Sequence, residues 1–116
     1  MLKHEFIVKE IHNRSHTKVK KRLVAVFEDK RYELLGVFLT SEIKNFYELF
    51  YSKLEAILSD NAEEFYFQGN RCSLTVGKDT TVIEDENDVK NLPTVEINNA
   101  ELSELIEEWK DRKDLI

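Results

Sequence analysis

The sequence predicts an α+β domain in which amphipathic helices pack against a mostly antiparallel sheet. Two kinds of hydrophobic periodicity alternate along its 116 residues. Stretches with a period of two, typical of strands, surround one stretch with a period of 3.6, typical of a helix, and a second helical stretch closes the chain. Only three Gly and one Pro are present. We therefore expect short connections and a single domain over residues 1–116.

Three strands are predicted in the N-terminal third. Residues 5–11 are rich in β-branched and aromatic types and indicate the first strand, and a polar, basic loop over residues 12–18 follows it. Residues 23–27 (LVAVF) form a short apolar run, typical of a strand covered on both faces. After a short polar turn, residues 32–39 form a similar run, so we expect an antiparallel hairpin of these two runs at the sheet centre.

A central helix is predicted over residues 43–58. Apolar side chains recur there at spacings of three and four, with charged residues on the other face. Thr40 or Ser41 is the expected N-cap, because a side-chain oxygen at that position accepts a hydrogen bond from an unpaired backbone amide. The apolar positions are Ile43, Phe46, Tyr47, Phe50, Leu54, Ile57 and Leu58.

The period of two returns after the helix and predicts a meander. Gly69-Asn70 is a suitable two-residue turn, since Gly accepts the positive φ that such hairpins require. Cys72, Leu74 and Val76 are expected on the buried face. The predicted strands cover residues 65–67, 72–76 and 80–83, with a short last strand at 94–97.

The C-terminal helix has the clearest local signature. Asn98 as N-cap places Glu101 at the third helical position, an Asn variant of the capping box. Ile97 and Leu102 are spaced as a hydrophobic staple. One apolar stripe follows along the helix, made of Leu102, Leu105, Ile106 and Trp109.

Charge is divided unevenly between the two halves of the chain. Residues 1–53 carry 11 Lys/Arg and 7 Asp/Glu, a net of +4, whereas residues 54–116 carry 6 Lys/Arg and 16 Asp/Glu, a net of −10. The basic stretch from Arg14 to Arg22 lacks interleaved aromatic residues, and the pI of about 5.1 opposes binding to nucleic acid. We therefore expect a protein partner and no nucleic acid.

No motif for catalysis, a metal or a cofactor is recognisable. His12 and His16 have i,i+4 spacing in a segment that does not resemble a helix, and His4 adds no zinc-ligand spacing. Cys72 lies on an apolar stripe and is expected in the core, where it has no disulfide partner. The acidic run 84–88 lacks the spacing and the glycine of an EF-hand. We expect a protein without enzymatic activity, metal or cofactor.

The N-terminus lacks the uninterrupted apolar stretch of a signal peptide, and no 18-residue apolar span occurs in the sequence. A cytoplasmic protein without a membrane partner is therefore expected.

Residues 93–109 (PTVEINNAELSELIEEW) combine a short β segment, a helix cap and a Leu-rich helix that ends in Trp. This combination resembles the C-termini of small bacterial immunity proteins, which are cytoplasmic partners of polymorphic and contact-dependent toxins. The resemblance implies an α+β inhibitor without enzymatic activity that binds one cognate toxin domain, often a basic nuclease. Such inhibitors use divergent surfaces, so the resemblance transfers no binding residues to this chain.

The acidic C-terminal half agrees with a basic partner, because complementary charge accelerates encounter and selects partners. An adaptor or regulatory interaction domain unrelated to toxins remains the alternative, and an enzyme would be revealed by turnover. The sequence leaves the oligomeric state open. The candidate partner-binding residues are Glu84, Asp85, Glu86, Asp88, Glu104, Glu107, Glu108 and Asp111.

Overall fold

A computed structural model describes residues 3–15, 17–87 and 91–116 of the chain. It contains two antiparallel sheets and several helical segments, which confirms the predicted α+β class. Strands β1 (His4–His12) and β2 (Val19–Phe27) form a two-stranded ribbon. A four-stranded meander follows in chain order, made of β3 (Phe65–Gln68), β4 (Cys72–Val76), β5 (Thr80–Asp85) and β6 (Val95–Asn98).

The ribbon is longer than its apolar runs indicated. Its register pairs His4 with Phe27 and His12 with Val19, so β1 extends by one residue into the predicted loop and β2 begins four residues before the predicted strand. Side chains alternate between the two faces of the ribbon. The inner face contributes Leu23, Ala25 and Phe27 to the core, with Phe6 packed against them. The outer face faces solvent, so the prediction that residues 23–27 are covered on both sides was wrong.

Residues 32–39 are helical, and their predicted pairing with residues 23–27 was wrong. A 3₁₀ turn (Lys30–Tyr32) leads into α1 (Glu33–Phe38), a π-helical turn (Leu39–Ile43) and α2 (Lys44–Leu58). Asp29 caps the start of this run, because its Oδ1 accepts a hydrogen bond from the Arg31 amide at 2.9 Å. A short apolar run fits a buried helix as well as a buried strand, so periodicity alone does not separate them. This part of the helical run contributes four side chains to the core: Leu34, Leu35, Phe38 and Leu39.

The central helix is confirmed, but its predicted N-cap was wrong. Because the helical run already begins at Glu33, the hydroxyls of Thr40 and Ser41 meet no unpaired amide. Both hydroxyls instead donate to carbonyl oxygens of the preceding turn, with Ser41 Oγ at 2.7 Å from Val37 O. The run bends at Phe46, whose φ of −120° departs from helical values.

The approach of α1 to the ribbon depends on Gly36. A Cβ at this position would lie 2.8 Å from the carbonyl oxygen of Ala25 in β2. Any side chain would therefore push α1 away from the edge of the ribbon.

The meander has one buried face and one open face. Its inner face contributes Cys72, Leu74, Val76 and Ile83 to the core, as predicted for the first three. The outer face carries Thr75, Glu84 and Glu96, which are exposed. This arrangement is typical of an antiparallel sheet with helices on one side only.

Helix α3 (Asn99–Lys113) packs its predicted stripe into the same core. Asn98 is the N-cap, since its Oδ1 accepts hydrogen bonds from the amides of Ala100 at 2.9 Å and Glu101 at 3.3 Å. Leu102, Leu105, Ile106 and Trp109 are all buried. The core therefore joins the ribbon, the helices and the inner face of the meander.

Within the described parts of the chain, no helix is long and apolar enough to cross a lipid bilayer.

Candidate partner-binding surfaces

The predicted acidic residues of α3 form one exposed stripe. Glu104, Glu107, Glu108 and Asp111 follow i, i+3, i+4, i+7 spacing, which places them on one face of the helix. All four are exposed, while the opposite face of α3 is anchored in the core. We call these four residues the α3 acidic stripe. A helix held in this way fixes the carboxylates relative to one another.

Two members of the stripe have partners within the molecule. The Tyr51 hydroxyl of α2 donates a hydrogen bond to Glu107, and this bond, with burial, raises the pKa of Tyr51. Glu108 Oε2 lies 3.2 Å from His4 Nε2 of β1. Neither Glu104 nor Asp111 forms a hydrogen bond or salt bridge with a described residue. The stripe therefore retains charge that folding does not use.

Asp85 was predicted to contact a partner, and the structure contradicts this. Its side chain is fully buried and forms a salt bridge to Arg71, with Oδ2 at 3.2 Å from the guanidinium. The same carboxylate accepts hydrogen bonds from the amides of Asn87 and Leu92 at 2.9 and 2.8 Å. The Arg71 hydrogen bonds and these amides lower the pKa of Asp85 to about 2. Asp85 thus anchors the segment after β5, which is a structural role.

The remaining acidic candidates lie elsewhere. Glu84 and Glu86 are exposed, and Glu86 Oε1 accepts a hydrogen bond from Ser73 Oγ at 2.6 Å. Glu84 pairs with Ser73 on the outer face of the meander. Glu84 lies on the face of the meander that points away from the core, whereas the α3 acidic stripe belongs to a different element. Asp88 lies outside the described residues. The predicted residues therefore do not form one surface.

Sequence reasoning missed a buried carboxylate in the π-helical turn. Glu42 is completely buried and accepts hydrogen bonds from the amides of Asn70 and Arg71 at 2.8 and 2.9 Å, and from Ser41 Oγ at 3.1 Å. A Cβ on Gly69 would overlap Glu42 Oε2, so only glycine leaves room for this carboxylate. One signal was available, because Glu42 follows Phe38 by four positions and interrupts the apolar stripe.

Cys72 sits next to this polar cluster but is not activated by it. Burial, together with the nearby charges of Glu42 and Asp85, raises the pKa of the Cys72 thiol to about 12. A thiol with this pKa is protonated near neutral pH and is a poor nucleophile. The assignment of Cys72 to the core is confirmed.

The described histidines, His4 and His12, do not belong to a group of metal ligands. His4 packs between Phe6 and Phe27, with ring centroids 5.2 and 5.7 Å away. His12 is exposed at the far end of β1, and His16 lies outside the described residues. Across residues 3–15, 17–87 and 91–116, no group of three or more His, Cys, Asp or Glu side chains is placed to hold a metal ion.

A second surface lies between the outer face of the ribbon and α1. It is a groove of about 720 Å³, bounded on one side by both ribbon strands and on the other by Gly36, Val37 and Thr40. Apolar side chains line it together with three cations and the carboxylates of Glu10 and Glu33. The lining residues on the ribbon side include Lys9, Ile11, Arg22, Val24 and Val26. We call this surface the ribbon groove.

The outer face of the ribbon, which forms one wall of the ribbon groove, brings like charges together. Lys9 lies directly opposite Arg22 in the strand register, and Lys20 lies opposite Ile11 on the same face. None of these three cations forms a salt bridge to a carboxylate that the structure describes. Sequence reasoning left the basic stretch 14–22 without a role, because the like-charged pairing depends on the register with β1.

Comparison of this chain with protein-family models, with curated proteins and with solved structures finds no match.

Proposed function

We propose that this protein is a binding protein without enzymatic activity, of the immunity type, that neutralises a cognate basic toxin domain. The α3 acidic stripe is its contact surface. The stripe consists of four exposed carboxylates on one face of a helix whose other face is fixed in the core. This single arrangement carries the proposal.

A fixed acidic stripe is suited to a cleft that binds phosphates. Its carboxylates take the place of phosphate groups opposite the Lys and Arg side chains of a nuclease site, and complementary charge accelerates association. Seven residues of helix span roughly 10 Å, so the stripe reaches across a substrate-sized cleft. Glu104 and Asp111, at its two ends, have no described hydrogen-bond or salt-bridge partner and are the expected contacts.

The test compares two charge reversals of equal size. Glu104→Lys with Asp111→Lys alters the stripe, whereas Glu84→Lys with Glu96→Lys alters the outer face of the meander, where both residues are also exposed. Each variant and the parent chain serve as bait to recover a basic partner, which is then expressed in a host together with each form. We expect the parent and the meander variant to restore growth and the stripe variant to fail.

Restored growth with the stripe variant would contradict the proposed contact surface. A recovered partner that does not impair growth on its own would contradict the immunity role and favour the alternative.

An adaptor is the second candidate function, and the ribbon groove favours it. The molecule carries an acidic surface on α3 and a cationic, partly apolar surface on the ribbon, which suits simultaneous contact with two proteins. A complex of three proteins in size-exclusion chromatography, without toxicity of either partner, would support the adaptor over the inhibitor.

A further inference from the structure

We propose that the ribbon groove binds an acidic segment of a protein, one that also carries apolar side chains. This surface is separate from the α3 acidic stripe, and the inference does not depend on the proposed immunity function.

The charge in the groove calls for an anionic ligand. Lys9 and Arg22 face each other across the ribbon, and like charges in directly opposite positions destabilise a strand pair. Lys20 is a diagonal neighbour of Lys9 on the same face, and Lys30 lies across the groove at the start of the helical run. None of Lys9, Arg22 and Lys20 forms a salt bridge with a described carboxylate, so a bound carboxylate would relieve the repulsion between them. The charge of the groove is therefore complementary to an acidic segment.

Exposed apolar side chains lie among these cations. Ile7, Ile11 and Val26 are 37, 43 and 41% exposed, and Val24 and Val37 line the groove beside them. Ile7 and Val24 are directly opposite each other in the register, so the apolar side chains are contiguous. Contiguous exposed apolar side chains are suited to contact with a protein ligand. The ligand must therefore supply apolar groups as well as carboxylates.

The same features disfavour nucleic acid as the ligand. None of the side chains on the outer ribbon face is aromatic, so bases have no stacking surface. Glu10 and Glu33 also line the groove, and the chain has a net charge of −6. These carboxylates disfavour a polyanion, with one charge on every nucleotide, more than a peptide whose acidic residues alternate with uncharged ones.

The test uses fluorescein-labelled peptides of about ten residues, the length that matches a nine-residue strand. One peptide alternates Glu with Val, a second alternates Glu with Ser, and a third alternates Lys with Val. A labelled DNA duplex is the fourth probe. We expect fluorescence anisotropy to show saturable binding of the Glu–Val peptide, weaker binding of the Glu–Ser peptide and no binding of the duplex. The Lys–Val peptide should not compete with the Glu–Val peptide, because any site for it lies on the α3 acidic stripe.

Two variants assign the binding to the groove. Lys9→Gln with Arg22→Gln is expected to weaken binding of the Glu–Val peptide about tenfold. This is the effect expected when two exposed charge contacts are lost together. Lys53→Gln with Lys78→Gln removes the same charge from other exposed positions and should change the affinity less than twofold. The stripe variant Glu104→Lys with Asp111→Lys should retain peptide binding, which separates this test from that of the proposed function.

Three results would overturn the inference. They are absence of Glu–Val peptide binding at millimolar concentration, equal loss of binding in both glutamine variants, and tighter binding of the duplex than of the peptide. Circular dichroism of each variant confirms that the fold is retained before the affinities are compared.

Discussion

The ribbon and the meander are both antiparallel, yet they use their side chains differently. The meander and α3 direct most of their apolar side chains into the core and anchor their interior polar groups, as at Asp85 and Asn99. The ribbon has the longest strands but buries only the inner face near its base, and its outer face keeps apolar side chains and like charges in contact with solvent. These solvent-exposed groups are the basis of the proposed ribbon groove, whereas the meander and α3 use their apolar groups for stability.

The largest expected loss of stability from a single substitution is at Trp109 in α3. Its side chain is 3% exposed, and truncation of a buried aromatic residue typically costs about 3–5 kcal/mol. We therefore expect Trp109→Ala to lower the free energy of unfolding by about this amount in urea denaturation. Trp109→Phe is the control and should cost much less, because the indole Nε1 has no hydrogen-bond partner among the described residues. If Trp109→Ala were as stable as Val26→Ala on the outer face of the ribbon, the two regions would not differ in how burial contributes to stability.

The next effect is expected at the buried Glu42. Glu42→Gln places an amide group against the two backbone amides that the carboxylate now binds, so one donor loses its acceptor. Loss of a buried hydrogen bond of this kind costs about 1–3 kcal/mol. Glu48→Gln, an exposed change on α2, is the control and should leave the denaturation midpoint unchanged. Equal midpoints for the two variants would show that Glu42 does not hold the β3–β4 turn.

Asp85 makes the stability of the fold depend on pH. Its pKa is lowered to about 2 in the folded protein from an ordinary value of 3.8, so its contribution to stability is present above that ordinary value and is lost as the pH falls from 3.8 to 2. The shift corresponds to about 2 kcal/mol. We expect the parent to exceed Asp85→Asn in stability by roughly this amount at neutral pH, and the gap to narrow in that acidic window. A gap that is constant with pH would contradict this ion-pair role.

The smallest effect is expected on the ribbon and has the opposite sign. Lys9→Gln removes a like-charged pair with Arg22, and such cross-strand terms amount to about 0.2–1 kcal/mol. We expect a small rise in the thermal midpoint at low ionic strength that salt diminishes. Lys78→Gln, outside the ribbon, should not raise it. A fall in the midpoint of Lys9→Gln would mean that Lys9 already has a stabilising partner.

Local patterns were sufficient where one signal had one physical meaning. Alternation identified Cys72, Leu74 and Val76 as an inner face, and Asn98 with the stripe ending at Trp109 identified the last helix. Residues 32–39 were misassigned because a short apolar run fits either period, although Asp29 carried a cap signal.

The surfaces depended on tertiary pairing, which local patterns do not contain. Asp85 and Glu84 are neighbours in sequence, but one is buried against Arg71 and the other is exposed. The ribbon groove depends on the pairing of Lys9 with Arg22. This pairing does not follow from the sequence prediction, which paired residues 23–27 with residues 32–39 instead of β1.

The most direct test of the α3 acidic stripe is its effect on the association rate with the basic partner. Surface plasmon resonance at about 0.05 and 0.3 M salt would compare the parent, Glu104→Lys with Asp111→Lys, and Glu84→Lys with Glu96→Lys. We expect the stripe variant to associate at least about tenfold more slowly at low salt and to lose the salt dependence of the parent, while the meander variant stays close to the parent. Equal association rates for the two variants would contradict the assignment of partner binding to α3.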